Sequence, residues 1–336
     1  VYKVSDRVKV SDRGFSYTLK CISLECLTDL NVKLSRSYSG TPSEIIKTFL
    51  SENGPLPTKR KLYLEDSKNF VEYISPYWSP LENIRYLTER AVSKENGAPS
   101  YVFFENIKGF VFSSLDALVA QEPSYSYYYT VNPKLSREKH QLTPSGDTLF
   151  ENRNEIVEEM WVDDSNDYFA KLKGGAFGIR TLQVDSFKKE YSYDGYDFLE
   201  SFARYNRLNV KPFNSDYSVR KLNSVFRTKV TPSGAYTKMA DDGSNEWFKR
   251  RLTEISALNA NTVQIDVPGK FGVHAGNVIS LFVFTGHIPN DDTSSKVFKD
   301  LVDRVLSGNY LVTSVHHTFT RIRHSMVMQI NKESLI

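Results

Sequence analysis

The segment from Phe70 to Val119 constrains the fold of this chain most strongly, because all of its local signals agree on one small α/β unit. It opens with a β-rich run that predicts a strand. Ser79, Pro80 and Glu82 then form a capping box with proline at the first helical position, which fixes a helix start. The helix is predicted to run to Asn96-Gly97, since apolar residues repeat at three- and four-residue spacing: Leu81, Ile84, Leu87 and Ala91.

Two further β-rich runs complete this unit. Tyr101 to Glu105 and Gly109 to Phe112 predict a hairpin with its turn around Asn106. Ser113 or Ser114 follows and can cap a second, short helix. The order strand, helix, hairpin, helix is therefore a structural signal, and it carries no catalytic chemistry.

A second capping box lies upstream, at Thr41, Pro42 and Glu44. It predicts a helix that ends at Asn53-Gly54 and has one apolar side: Ile45, Ile46, Phe49 and Leu50.

The first residues alternate in polarity and predict an antiparallel strand pair, Tyr2 to Val10 and Phe15 to Leu27. We expect Val4, Val8 and Val10 to share one face. Such a pair is half of a small barrel, and because the chain begins without methionine inside a strand pattern, we expect further residues before Val1.

The two cysteines, Cys21 and Cys26, fall inside the second of these predicted strands. An odd separation along a strand points two side chains to opposite faces. We therefore expect buried, reduced thiols rather than a disulfide.

Composition bounds the class of protein. At 336 residues the chain exceeds the usual size of one core, so we expect about two to four packed units. Forty-three Lys and Arg against 40 Asp and Glu leave a formal charge of +3, which is too balanced for a protein built mainly to hold nucleic acid. The 21 Phe and 20 Tyr favour strands over a helical bundle, and no apolar run reaches the roughly 18 residues that predict a membrane span.

The C-terminal third predicts a helix and then four strands. The helix follows Ser244 and carries apolar residues at helical spacing: Phe248, Leu252, Ile255 and Leu258. The strands are Val263 to Val267, Asn277 to Phe284, Tyr310 to Phe319 and Ser325 to Asn331. In the last strand Met326, Met328 and Ile330 alternate with polar residues, which predicts one buried apolar face and one face in solvent. An amphipathic helix is expected within Ile288 to Leu306, and an irregular peripheral insertion from Lys188.

A tyrosine tract is the candidate binding feature: Tyr125, Tyr127, Tyr128 and Tyr129. No basic residue interleaves it, which disfavours base stacking on nucleic acid. Two alternatives stay open, a contact strip for another protein and ordinary packing within a sheet.

Patterns for metal and phosphate binding are incomplete. Seven acidic residues lie between Glu151 and Asp167, and Asp163, Ser165 and Asp167 match the first, third and fifth positions of a calcium loop. Tyr168 and Gly174 replace the required Gly and Glu, so a solvated acidic loop is the simpler interpretation. Gly174 to Gly178 lacks the Lys-Ser or Lys-Thr of a phosphate loop and predicts a sharp bend into a strand.

No catalytic or metal site is predicted. His316 and His317 are adjacent in a strand and point to opposite faces; His324 can approach one of them across the hairpin, but two imidazoles are too few ligands. No carboxylate pair is singled out as a hydrolase would need, and no serine or cysteine has an activating context. We therefore predict no enzymatic activity, no cofactor and no catalytic residues.

Two patches resemble one family, the central spike hub proteins of the baseplate in T-even-type contractile-tailed phages. The first is YISPYWSPLENIRYLTERA followed by YVFFENIKGFVFSSLDAL and by Gln121-Glu122-Pro123. The second is Ser233-Gly234-Ala235-Tyr236, before a helix and a glycine-punctuated strand pair. The patches occur in the family's order and spacing and cover about half of the chain.

The resemblance implies an α+β, mainly β fold with two tube-type antiparallel β-barrel domains, an α/β domain between them and a small peripheral insertion. On this chain the ranges are 1–38 for the first tube-type domain, 39–133 for the α/β domain, 134–187 with 244–336 for the second tube-type domain, and 188–243 for the insertion.

The resemblance also implies a function. Three subunits would form a pseudo-sixfold ring that joins the hexameric tail tube to the trimeric central spike, with neighbouring baseplate proteins outside and DNA only as a passenger through the lumen. Such a protein acts in the virion, after assembly in the host cytoplasm, without inserting into a membrane. The alternatives are the hub of a type VI secretion spike or of a phage-tail-like bacteriocin, and a tail-tip cell-wall hydrolase or carbohydrate-binding module.

Overall fold

The structure, a computed structural model, describes residues 1–11, 14–130, 155–162, 172–185, 189–212, 225–230, 244–259, 261–284 and 302–336. The chain divides into two compact units. The first comprises Val1–Gly97 with Phe103–Phe112, and the second comprises Ala98–Val102 with Ser113–Ile336. The four domain ranges given above stay a prediction.

The first unit begins with a two-stranded antiparallel ribbon, β1 (Lys3–Ser11) and β2 (Gly14–Lys20). The predicted extension of the second strand to Leu27 is wrong, because Leu24–Asn31 forms a helix, α1. Glu25 lies in its first turn, where a negative charge favours the helix N-terminus. The cysteines therefore share no strand: Cys21 is exposed and Cys26 is half-buried, both as free thiols, so the expected burial is also wrong.

The rest of the first unit contains two small sheets and two capped helices. Its elements are β3 (Ser37–Gly40), α2 (Pro42–Phe49), β4 (Lys61–Leu64), β5 (Val71–Ile74), α3 (Pro80–Arg90), β6 (Tyr101–Asn106) and β7 (Gly109–Ser114), the last two strands crossing the boundary between the units. β3 pairs with β5, and β7 lies between β4 and β6. Both predicted capping boxes are confirmed, since Thr41 and Ser79 accept from the backbone N–H groups of Glu44 and Glu82.

Helix α3 ends earlier than predicted, at Arg90 rather than near Asn96. A side chain from the preceding loop stops it: Asn69 donates to the carbonyl of Arg90 at 2.8 Å and accepts from the N–H of Val92 at 2.9 Å. These contacts hold residues after Arg90 in extended conformation, a long-range effect that periodicity does not show.

The second unit is built around a six-stranded sheet of order β8-β15-β16-β17-β14-β9. Its strands are β8 (Tyr125–Thr130), β9 (Glu159–Val162), β14 (Asn261–Pro268), β15 (Val278–Phe284), β16 (Gly308–Phe319) and β17 (His324–Lys332). β8 is parallel to β15, and the other neighbours are antiparallel. The four strands predicted in the C-terminal third are thus confirmed.

One face of this sheet forms the core of the second unit. Met326, Met328 and Ile330 are fully buried there, as the alternation of β17 predicts. On the opposite face of β17 the polar residues are expected to meet solvent. Asn331 is instead buried, and it donates to the hydroxyl of Thr262 at 2.8 Å.

The segment predicted to be an irregular insertion contains regular structure where it is described. The remaining elements of the second unit are α4 (Leu115–Val119), β10 (Gly178–Asp185), β11 (Glu190–Asp197), α5 (Phe198–Ser201), β12 (Lys211–Pro212), β13 (Val225–Val230), α6 (Ser244–Leu258) and β18 (Ser334–Leu335), and residues 202–204 form one 3₁₀ turn. Strands β11, β10 and β13 form a sheet in that order, and β12 pairs with β18. Strand β11 pairs with β10, which lies before the predicted insertion, so the sequence of the insertion alone does not show this partner.

Two other local predictions have definite outcomes. Strand β10 begins at Gly178, which confirms the predicted bend into a strand. The predicted helix over Ile288 to Leu306 is wrong at its described end, where Val302 forms a β-bridge and Asp303 accepts from the N–H groups of Val305 and Leu306 in a turn. Its first part, and the Ser233 to Tyr236 patch and calcium-loop positions Asp163 to Tyr168, lie outside the described residues.

The observed elements confirm a mainly β, α+β chain. No helix in the ranges described above is long and apolar enough to cross a membrane.

Candidate functional site

One face of the β1–β2 ribbon is apolar, and this face is exposed to solvent in the single chain. Five large side chains share this face, each exposed over about half of its surface: Tyr2, Val4, Phe15, Tyr17 and Leu19. An isolated two-stranded hairpin is at best marginally stable in water, because it buries little apolar surface. A contiguous exposed apolar face of this kind is typical of a surface that another protein covers.

The ribbon contains a bulge that sequence alternation did not predict. Ser5 pairs with Thr18 and Val8 pairs with Ser16, so three residues of β1 advance against two of β2. Asp6 adopts a φ of 55° at this point. Val8 consequently faces away from Val4, and the prediction that these two valines share a face is wrong.

The tyrosine tract lies on β8, at one edge of the six-stranded sheet. Tyr127 is fully buried in the core, with Tyr125 and Tyr129 packed half-buried beside it. Tyr128 is also buried, and its ring stacks on Phe282 at 5.4 Å between centroids. Burial raises the pKa of the Tyr127 hydroxyl above its ordinary value. These contacts are ordinary packing within a sheet, one of the two alternatives that the sequence left. An interface formed by the four tyrosines stays a prediction.

A histidine pair lies at the far end of the β16–β17 hairpin. Nδ1 of His317 is 3.1 Å from Nε2 of His324, so the predicted approach across the hairpin occurs. Partial burial, and then His324, lower the pKa of His317. Phe271 and Phe319 stack against this pair, with Phe319 4.2 Å from the His324 ring. In the described ranges, no three His, Cys, Asp or Glu side chains are grouped to hold a metal.

Sequence reasoning missed a buried charge network on α6. Arg250 donates from Nε to Glu254 at 2.7 Å and from Nη2 to Asp116 at 2.8 Å, and all three side chains are buried. The Arg250 guanidinium also lies 3.4 Å from the Tyr205 ring centroid. The predicted apolar stripe of α6 is only half-buried at Phe248, Leu252 and Ile255, whereas the charged side is buried. The sequence signal that could have indicated this network is the spacing of Arg250 and Glu254, which lie four residues apart on the helix.

The second carboxylate oxygen of Glu254 is also satisfied. Ser100 donates to it at 2.5 Å, and Arg207 lies 3.9 Å from the first oxygen. Burial raises the pKa of Asp116 even with Arg250 beside it, and burial together with Glu254 raises the pKa of Tyr196 to about 12. This network ties α4, α6 and the segment around Arg207 into one rigid polar core within the second unit.

Two adjacent charged residues of β17 and the following turn are buried beside this network. Lys332 donates to the carbonyls of Val305 and Ser307 at 2.6 and 2.7 Å, and burial lowers its pKa to about 7. Glu333 accepts from the N–H of Leu208 at 2.8 Å, and burial raises its pKa. Both buried groups therefore make hydrogen bonds to the backbone, as buried polar groups in folded proteins usually do.

Comparisons with known proteins agree with the family predicted from sequence. The chain is 22% identical over 323 residues to a protein named "Probable baseplate hub protein gp334" of Vibrio phage KVP40, covering 91% of this chain and 73% of that protein. No protein-family model matches the chain.

Two solved structures share the fold. The tail protein from Neisseria meningitidis MC58 matches with a TM-score of 0.51 at 10% identity, over 98% of this chain and 78% of that one. The 43 kDa tail protein of prophage MuSo2 from Shewanella oneidensis matches with a TM-score of 0.50 at 8% identity, over 98% and 76%. The resemblance to the phage baseplate hub family, carried in the sequence by two patches, is thereby confirmed by similarity along nine-tenths of the chain.

Proposed function

We propose that this chain is a structural subunit of a phage baseplate hub, which joins the hexameric tail tube to the trimeric central spike as a homotrimeric, pseudo-sixfold adaptor. Its place is the virion tail, with assembly in the host cytoplasm. Neighbouring baseplate proteins pack around it, and DNA passes through the lumen without specific contacts. The role requires no catalysis and no cofactor. Similarity to a protein named as a baseplate hub supports the location.

The observation that carries the proposal is the exposed apolar face of the β1–β2 ribbon. Tyr17 and Leu19 are about half exposed on a ribbon whose strands pair only with each other in the described chain. Apolar surface is stabilised by about 25 cal/mol per Å² when it is removed from water, so a subunit with such a face gains free energy on assembly. A closed ring also pairs sheet edges that would otherwise promote aggregation.

Native mass spectrometry tests the proposal. The purified chain should give a trimer, and a mixture with the spike protein of the same phage should give a three-plus-three complex. A chain that stays monomeric at every concentration, alone and with the spike and tube proteins, contradicts the adaptor function.

A further inference from the structure

The ribbon is not only apolar but also basic. It carries four basic residues and one acidic residue, Asp6: the basic residues are Lys3, Arg7, Lys9 and Lys20, all exposed. Two ribbons from different copies, placed edge to edge, would bring these like charges together, and like charges opposite each other destabilise a sheet. A second ribbon is therefore a poor partner for the first.

Strand β11 has the complementary character. Among the described strands it lies at an edge, next to β10 alone, and the residues from Glu190 to Gly195 are exposed. It contains three acidic residues and no basic residue: Glu190, Asp194 and Asp197. Asp194 contacts Lys249 and Asp197 caps α5, whereas Glu190 is exposed at the start of the strand, directly after Lys189.

The exposed faces of the two elements also match. Tyr191 and Tyr193 lie on one face of β11, 71% and 61% exposed, with ring centroids 5.9 Å apart. On the ribbon, Tyr17 and Leu19 likewise lie two residues apart on one face. Aromatic residues on neighbouring strands form favourable cross-strand pairs when they share a face.

We propose that the β1–β2 ribbon of one copy adds to the β11 edge of the next copy and extends the three-stranded sheet to five strands. The inference deepens the proposed function and rests on it. Backbone hydrogen bonds along the edge supply the pairing, and opposite charge fixes which edge is used. Because the two surfaces differ, the contact is heterologous, and repetition of one heterologous contact gives a ring where the rotation between copies closes, as the proposed trimer requires.

Two variants and their mixture test the interface. The ribbon variant, Tyr17→Asp with Leu19→Asp, keeps β11 intact; the edge variant, Glu190→Lys with Tyr193→Lys, keeps the ribbon intact. All four positions are exposed, so both variants should retain the circular dichroism spectrum of the parent. Each variant alone should assemble at least about tenfold more weakly than the parent in native mass spectrometry and sedimentation velocity.

The mixture is decisive, because each variant retains the half of the interface that the other has lost. An equimolar mixture should form a one-to-one heterodimer and stop there. The matched control, Ile322→Asp, changes a side chain that is 98% exposed on the β16–β17 turn and should assemble as the parent does.

The outcomes separate this inference from the proposed function. A parent trimer that persists in the edge variant overturns the inference and leaves the adaptor function standing. A mixture that contains monomers only also overturns it. A parent chain that never assembles refutes the proposed function itself.

Discussion

Replacing Arg250 by Met should destabilise the second unit strongly. Arg250 is 6% exposed and contacts Glu254 at 2.7 Å and Asp116 at 2.8 Å, so the substitution removes the hydrogen-bonded cation from two buried carboxylates and leaves Glu254 with Arg207 at 3.9 Å. Breaking a buried ion pair from one side costs about 3–5 kcal/mol. That is a large part of the roughly 5–15 kcal/mol that stabilises a typical domain, and it corresponds to a drop in Tm of roughly 6–20 °C.

Urea unfolding followed by far-UV circular dichroism measures this loss. Arg85→Met is the matched control, since the side chain of Arg85 is 83% exposed and forms a surface ion pair with Glu89; it should change the free energy of unfolding by less than about 0.5 kcal/mol. A triple variant, Arg250→Met with Asp116→Asn and Glu254→Gln, removes the stranded charges and should recover part of the loss.

The pH dependence gives a second readout. Without Arg250 the folded-state pKa of Asp116, already raised by burial, rises further above the unfolded value. The folded variant then binds more protons than the unfolded chain, so its deficit should shrink as pH falls from 7 towards 5. An Arg250→Met variant as stable as the parent at pH 7 would refute the assignment of this network as a buried, mutually dependent cluster.

Three further predictions concern single side chains. Burial lowers the pKa of Lys332 to about 7, below its value in the unfolded chain. Between pH 7 and 10 the unfolded chain therefore binds more protons than the folded one, and stability should rise with pH across that window. Lys332→Met should flatten this rise when Tm is measured as a function of pH, and an unchanged slope contradicts the assignment. Ser79→Ala should cost about 1 kcal/mol in urea unfolding through loss of the α3 cap, whereas Ser79→Thr should cost less, and equal losses would argue against capping. In an NMR titration His317 should show a pKa below 6.5, because partial burial and the neighbouring His324 both disfavour its charged form; a pKa above 6.5 would contradict this arrangement.

Much of the first unit was predictable from its sequence because its signals are local. The capping boxes at Thr41 and Ser79 are satisfied within one helical turn, so four consecutive residues specify each helix start. The end of α3 was not predictable, because Asn69, from a loop more than twenty residues earlier in the chain, holds it.

The candidate surfaces divide in the same way. Alternation of polarity predicted the ribbon, but the bulge at Asp6 decides which side chains share its apolar face. A bulge follows from how two strands pair, and periodicity along one strand does not show it. The tyrosine tract was visible as composition, and only the position of β8 beside β15 shows that Tyr127 belongs to the core.

By itself the sequence determined the class of the chain, its local helix starts, its C-terminal strands and its resemblance to phage hub proteins, because each depends on neighbouring residues or on short patches. Only the tertiary structure decided where charge is buried and which sheet edges remain open. Arg250 meets Asp116 across more than a hundred residues, and among the described strands β11 lies at an edge because β10 and then β13 lie on its other side. Such pairings depend on which distant segments meet, and local residue patterns do not encode that information in readable form.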